Sequence, residues 1–388
     1  MTDFAEGNGL TLLESGRDYF PALEAACDAA EREIHVETYI YADDPAGHRI
    51  GAALKRAARR GVATHVLVDG YGSKKLSGAI LDDLRTSGVK VLVYRPDIAP
   101  WRRPRQRLRR MHRKLAVVDG RIAFVGGINV IDDMHTPRHT PPRFDYAVRI
   151  EGPLLEQVHG AVKRLWTIVQ LTQLGGGWPD FGTVIPEVEI RGRQSAAFLV
   201  RDNLWHRDDI EDAYLSAIAD ARTDVLIANS YFFPGLSFRR ALSDAAARGV
   251  RVTLLLQGRV EYRLLHYASR ALYGALLDAG VEIYEYHKSF LHAKVAVIDR
   301  KWATVGSSNI DPFSLLLARE ANVVVRDADF AAALRASLEA AILSGAQEVR
   351  AESWRRRSFP SRLAHWACYG FARLLTGVFA YGQAREFA

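Results

Sequence analysis

Residues 111–120 read MHRKLAVVDG, and residues 291–300 read LHAKVAVIDR. Each phrase carries a His, a Lys two places on, an apolar run, and an Asp five places after the Lys. The two His stand 180 positions apart in a chain of 388. In an extended strand, residues two apart lie on one face. His112 with Lys114, and His292 with Lys294, therefore present an imidazole and an ammonium side by side. Leu115 and Val117, or Val295 and Val297, point the other way and can fill a core. Asp119 and Asp299 stand seven places after their His, so a regular strand turns each away from the imidazole. That offset suggests support more than direct chemistry. With 12 His and nine Lys in the chain, the pattern arises by accident about 0.02 times. It occurs twice.

The duplication extends outward. The tails FVGGINVID (124–132) and TVGSSNIDP (304–312) align Gly126 with Gly306 and Asn129 with Asn309. Upstream, EREIHVETYIY (31–41) reads as a helix end running into a strand, followed by a helical stretch (50–62) and a buried strand, THVLVDG (64–70). ARTDVLIANSYFF (221–233), FRRALSDAAARGV (238–250) and RVTLLLQG (251–258) repeat that order. Each ARRGV or AARGV places Gly where a helix end wants a left-handed residue, before a β-rich run. SGVKVLVYRP (87–96) and AGVEIYEYHK (279–288) add a further Gly-led strand to each half. Alternating helices and strands in a duplicated chain predict an α/β protein of two similar lobes, each a β-sheet flanked by helices. The Gly- and Pro-rich QLGGGWPDFG (173–182) falls between them. The boundaries expected are 1–172 for the first lobe, 173–195 for a linker, 196–345 for the second lobe, and 346–388 for a basic and aromatic C-terminal segment.

Composition narrows the class. The 48% hydrophobic content suffices for two domain cores. The N-terminal MTDFAEGNGL has no basic start before an apolar run, so no secretory signal is expected there. Cys27 and Cys368 lie at opposite ends of the chain and form no disulfide framework, and no zinc spacing is present. A cytoplasmic setting is the simplest reading. Arg outnumbers Lys by more than four to one among 52 basic residues, and the net charge is +7. Coding bias is the plain explanation; a surface that grips phosphates through planar guanidinium forks is the functional one.

His-x-Lys-x-x-x-x-Asp followed by Gly-Gly/Ser-x-Asn, present twice, resembles the phospholipase D superfamily. NSYFFPG (229–235), LHAKVAVIDRKWATVGSSNIDPFSL (291–315) and FVGGINVIDD (124–133) are most similar to bacterial cardiolipin synthases, of the type without N-terminal transmembrane helices. The resemblance implies two phospholipase D-like lobes with mixed sheets, related by a pseudo-twofold axis that joins both motifs into one site. Lys114, Lys294, Asn129 and Asn309 then supply donors to phosphate oxygens, where transition-state charge gathers. One His attacks phosphorus and forms a phosphohistidine, while the other serves as acid and then base. Both motifs read alike; the resemblance implies His112 as nucleophile and His292 as acid–base. Aligning FDYAVRI (144–150) with REANVVV (319–325) pairs Asp145 with Glu320, which the family uses to orient the histidines. Ala318 stands where many relatives carry Asn. Two lysines supply positive charge, and no cluster of hard oxygen ligands is evident, so no metal cofactor is expected.

The expected partner is an anionic phospholipid membrane carrying phosphatidylglycerol. WRRPRQRLRRMHRK (101–114) holds eight basic residues in fourteen positions, enough to rest on anionic lipid. RLAHWACYGFARLLTGVFAYG (362–382) is too interrupted by Arg373, His365 and glycines to span a bilayer, but suits an interfacial helix with Trp366, Tyr369 and Phe379 near the lipid boundary. These features point to a peripheral enzyme on the cytoplasmic face of the cell membrane. It would join two phosphatidylglycerols into cardiolipin and glycerol. The rivals are phospholipid hydrolysis, a nucleic-acid phosphodiesterase of the same superfamily, and a lipid-binding protein without activity.

Overall fold

The computed structural model describes residues 2–381 apart from 75, 77, 97–109, 137–139, 175–183, 203–205, 261–262 and 312–317. Most of the basic run 101–114 and most of the Gly-rich linker segment therefore lie outside the described residues.

The first lobe begins with β1 (Ala5–Glu14), α1 (Ser15–Ala29), β2 (Glu33–Thr38), α2 (Pro45–Arg59), β3 (Ala63–Asp69), α3 (Gly78–Thr86) and β4 (Lys90–Tyr94). It continues through β5 (Arg110–Met111), β6 (Lys114–Val118), β7 (Ile122–Gly126), β8 (Arg143–Phe144), β9 (Tyr146–Glu151) and α4 (Leu155–Leu174). The second lobe repeats the order with β10 (Gln194–Arg201), α5 (Asp209–Asp220), β11 (Asp224–Asn229), α6 (Leu236–Ala247), β12 (Arg251–Gln257), α7 (Arg263–Ala271), α8 (Tyr273–Asp278) and β13 (Glu282–Tyr286). Then come β14 (Phe290–Leu291), β15 (Lys294–Ile298), β16 (Trp302–Gly306), β17 (Ala318–Arg326) and α9 (Ala328–Gly345). The chain ends in β18 (Ala346–Glu348), α10 (Ala351–Arg355) and α11 (Phe359–Tyr381).

Local chemistry sets the helix limits. Asp44 caps α2 by accepting the Gly47 N–H at 2.9 Å, ahead of Pro45, and Asp327 caps α9 by accepting Phe330 N–H at 2.8 Å. Gly61 and Gly249 take φ of +91° and +86° beyond α2 and α6, a region open to glycine at no steric cost.

The strands form one hydrogen-bonded path, β4-β3-β2-β6-β7-β9-β1 followed by β10-β17-β16-β15-β11-β12-β13-β18. Each lobe holds three parallel strands and an antiparallel remainder. The two mixed sheets meet at β1 and β10, where Ala5 pairs with Ala196 and Asn8 with Gln194. A shared apolar core crosses this seam; Leu115, Val148 and Val158 of one half pack in it with Val295, Val323 and Leu334 of the other. Fully burying each such side chain is worth ~1.5–3 kcal/mol, so the lobes are joined by packing as well as by strand pairing.

The lobes differ under the sheet. On β2 the alternating residues Glu33, His35 and Glu37 are buried and face α4. The His159 ring bonds Glu33, and Lys163 Nζ lies 3.5 Å from the same carboxylate. His35 stacks on His65 at 4.6 Å, and His65 meets Trp166 edge-on at 4.8 Å. The matching residues of β11 include Leu226 and Ala228, which sit in the apolar core. Burial, helped by the nearby charges of His35 and Lys90, holds His65 down at about 3. Below 6.5 the unfolded chain therefore takes up a proton that the folded lobe refuses until about pH 3. Stability contributed this way is complete above 6.5 and lost as pH falls through that window. Denaturant titrations should show the wild type losing stability between pH 6.5 and 4, with the slope reduced in His65→Leu by about one proton, or ~1.4 kcal/mol per pH unit. An unchanged slope would show that His65 does not carry the effect.

Candidate active site

MHRKLAVV is not the single regular strand that alternation predicts. β5 ends at Met111, and β6 begins at Lys114. β14 likewise ends at Leu291, and β15 begins at Lys294. The break arises because each His-bearing segment leaves its own lobe to pair with the other. β5 runs parallel to β17, with Arg110 opposite Ala318 and Met111 opposite Arg319, and the His112 N–H donates to Arg319 O at 2.9 Å. β14 runs parallel to β8, with Phe290 opposite Arg143 and Leu291 opposite Phe144, and the His292 N–H donates to Phe144 O at 2.8 Å. One step further along each register, His112 meets Glu320 and His292 meets Asp145. Each lobe thus supplies the acid that holds the other lobe's histidine.

The side chains complete this exchange. His112 Nδ1 is 2.9 and 3.1 Å from the Glu320 oxygens, and His292 Nδ1 is 2.6 Å from Asp145 Oδ2. With Nδ1–H donating to a carboxylate, Nε2 keeps its lone pair for chemistry. The acids are held in different ways. Glu320 accepts the Ser307 hydroxyl at 2.5 Å, while Asp145 accepts the Tyr146 N–H at 2.8 Å. At Gly127, the position equivalent to Ser307, a Cβ would fall 2.3 Å from Asp145 Oδ1, so only glycine leaves room for this carboxylate. The Gly-Gly and Gly-Ser of the two tails are therefore two ways of seating an acid. In the sequence Ser307 is visible only as the Ser of Gly-Ser against the Gly of Gly-Gly, a difference that carries no sign of its role.

Lys114 and Lys294 are buried, and each ammonium donates to the carbonyl of the His two residues before it. Lys294 Nζ also lies 2.9 Å from His292 Nδ1 and 3.6 Å from Asp145 Oδ2. The Tyr39 ring, a further neighbour not signalled by the repeat, sits 4.8 Å from His112 and beneath Lys114 Nζ at 5.4 Å. Burial brings Lys114 down to about 7 and lowers Lys294, partly opposed by the two acids. Burial also lowers both histidines; Glu320 opposes this at His112, whereas Lys294 and Arg143 add to it at His292. The site therefore holds clustered cations whose charge a bound anion would relieve.

The two motif aspartates turn to backbone N–H groups instead of the imidazoles. Asp119 and Asp299 occupy hairpin turns at φ of +53° and +50°. Asp119 accepts the N–H groups of Glu31, Arg32 and Glu33 at 2.8 Å each; Asp299 accepts those of Arg222 and Thr223 at 2.8 Å and Asp224 at 3.1 Å. They tie each His–Lys hairpin to the start of the neighbouring strand. The turn, more than strand parity, sets their direction. Asn129 and Asn309 are buried, and their side-chain oxygens accept Ile40 N–H at 3.0 Å and the Ser230 hydroxyl at 2.9 Å. Ala318 pairs with Arg110 at the handover between lobes. Glu33, His35 and His159 bring ligand atoms within 4.8 Å of one another, but Lys163 already supplies a cation to Glu33.

The family described as cardiolipin synthase, PLD-like domain, matches residues 23–166 and 214–342. Cardiolipin synthase B of Escherichia coli K12 is 40% identical over 354 residues, spanning 89% of this chain and 83% of that protein. The cardiolipin synthase of Geobacillus kaustophilus is 33% identical over 80% of this chain and 61% of that one. Among solved structures, phosphatidylserine synthase of Haemophilus influenzae Rd KW20 superposes with a TM-score of 0.67 at 13% identity, covering 95% of this chain and 94% of that one. That superposition shares the fold.

The exchange predicts separable losses. Glu320→Gln and Asp145→Asn should each lower kcat by about 10²-fold or more with little change in KM, since an amide no longer fixes the Nδ1–H tautomer. Asp119→Ala should instead lower stability by about 2–3 kcal/mol by removing the acceptor of three backbone N–H groups, that of Glu33 buried, with turnover per folded molecule retained. Loss of turnover in folded Asp119→Ala matching that of Glu320→Gln would overturn this division.

Proposed function

This chain belongs to the cardiolipin synthase family of phospholipase D-like proteins, and from that premise we propose that it joins two phosphatidylglycerols into cardiolipin and releases glycerol. The observation that carries this reading is the paired exchange, in which His112 is held by Glu320 and His292 by Asp145 across one seam. Both half-sites then act on one phosphodiester.

In the first step His112 Nε2 attacks phosphorus, forming an N–P bond as the P–O bond to the glycerol headgroup breaks. His292, protonated in the loaded site, gives its proton to the departing alkoxide. In the second step neutral His292 takes the proton of a hydroxyl on the incoming phosphatidylglycerol. That oxygen attacks phosphorus, and the N–P bond breaks. Lys114, Lys294, Asn129 and Asn309 donate to the non-bridging oxygens and stabilise the charge there, the side-chain oxygens of the two Asn being held by Ile40 and Ser230. Burial disfavours a protonated His292 in the free site. The substrate's negative charge offsets this, so substrate arrival itself arms the acid.

The enzyme works as a peripheral protein at an anionic lipid surface, on the cytoplasmic face. Among the described residues no helix is long and apolar enough to cross a membrane. Phe359, Leu363, Trp366 and Leu374 of α11 are each more than half exposed. Their spacing sets them on one helical stripe, opposite the buried His365 and Ala372.

Purified protein with labelled phosphatidylglycerol in mixed micelles should yield cardiolipin and free glycerol, at a rate a chelator leaves unchanged. Phosphatidic acid alone would establish hydrolysis instead, and DNA cleavage without lipid turnover would sink the reading. The nucleophile must be neutral and the His112 pKa is lowered by burial. The acid limb of kcat/KM should therefore lie below 6.5, the ordinary value for that group.

A further inference from the structure

A second candidate anion site, which shares no lining residue with the paired histidines, lies where α7, α8, α10 and α11 meet. A cavity of about 270 Å³ is lined there by Arg270, Arg355, Arg357 and Arg362, together with Trp354 and Trp366. Four guanidinium groups in one hollow require an explanation, because like charges repel unless something holds them.

Part of the charge is met within the protein. Arg270 bonds Glu285 at 2.9 Å, and Arg355 bonds Asp278 at 2.6 Å. No acid pairs with Arg357 or Arg362 among the described residues. Arg357 lies 3.8 Å over the Trp354 ring, and Arg270 lies 5.6 Å from the same ring. The aromatic face positions these guanidinium groups without neutralising them. His365 stacks on Trp354 at 6.0 Å, and its pKa is lowered by burial and then by Arg357 and Arg270. Four arginines against two acids leave the hollow with two positive charges unmatched.

The surroundings say where the matching anion comes from. Trp366 lines the hollow and also belongs to the exposed apolar stripe of α11 with Leu363 and Leu374. A soluble anion has no use for such a stripe. In a lipid monolayer the two features suit adjacent depths, with apolar side chains among the acyl groups and an indole and guanidinium groups at the phosphates. Planar guanidinium forks match phosphate oxygens two at a time.

We propose that the hollow between α7, α8, α10 and α11 binds the phosphodiester of an anionic membrane phospholipid, and so docks the enzyme on its substrate surface. The site does not take part in the chemistry. It rests on the reading of the chain as a lipid-surface enzyme, and its test separates the two.

The full chain is assayed for sedimentation with phosphatidylcholine vesicles with and without phosphatidylglycerol, and separately for turnover of short-chain phosphatidylglycerol below its micelle concentration. The wild type should bind only the anionic vesicles, more weakly as salt rises. Arg357→Gln with Arg362→Gln should weaken that binding about tenfold or more and leave turnover of the soluble substrate intact. A charge-matched control, Arg59→Gln with Arg85→Gln on the exposed surface of the first lobe, should bind as the wild type does. Should the double variant melt early, Arg362→Gln alone carries the test, since that side chain is exposed. Unchanged vesicle binding, equal weakening in the control, or joint loss of binding and soluble turnover would overturn the docking site. Absence of lipid turnover by the wild type would instead overturn the function on which it rests.

Discussion

Two short parallel strand pairs, each crossing from one lobe to the other, determine the candidate site. Because β5 pairs with β17, and β14 with β8, the backbone register itself sets Glu320 beside His112 and Asp145 beside His292. A slip of one residue would turn each acid to the opposite face. The apolar core across the seam guards against such a slip, since Leu115, Val295 and Val323 pack together there. The site consequently depends on the lobe interface, and neither half contains a complete histidine–acid pair.

That arrangement also accounts for the balance of charge. Two lysines and His292 are buried, and His112 largely so, beside two carboxylates, an excess of cationic capacity that the interior tolerates by lowering the pKa of the lysines and histidines. An anionic phosphodiester supplies the missing charge. Donors already fixed in place need little reorganisation as charge builds on the phosphate oxygens. Peripheral arginines serve a different purpose, since their anion stays bound without reacting.

The duplicated phrase revealed both lobes, the order of their strands and the four residues His112, Lys114, His292 and Lys294, because chemistry and periodicity coincide there. The acids Asp145 and Glu320 were legible through alignment of the two halves, but not their exchange. Strand pairing between lobes leaves no mark in a local pattern. The interruption at each His was hidden for the same reason, since MHRKLAVV alternates as one strand would. Asp119 and Asp299 read as facing away, and the turns that direct them are set by positive φ. The Glu33–His35–His159 network could not be read from the repeat, because only its acid has a counterpart: Asp224 stands at the position of Glu33 and pairs with Arg335, while apolar Leu226 replaces His35.

Stoichiometry of the covalent intermediate tests the shared site most directly. Phosphatidylglycerol labelled at phosphorus, mixed with enzyme and quenched in alkaline detergent, should leave no more than one phosphoryl group per chain, on the peptide that contains His112. Label on both His112 and His292 at two groups per chain would mean that each half works alone, contradicting a single site built across the seam.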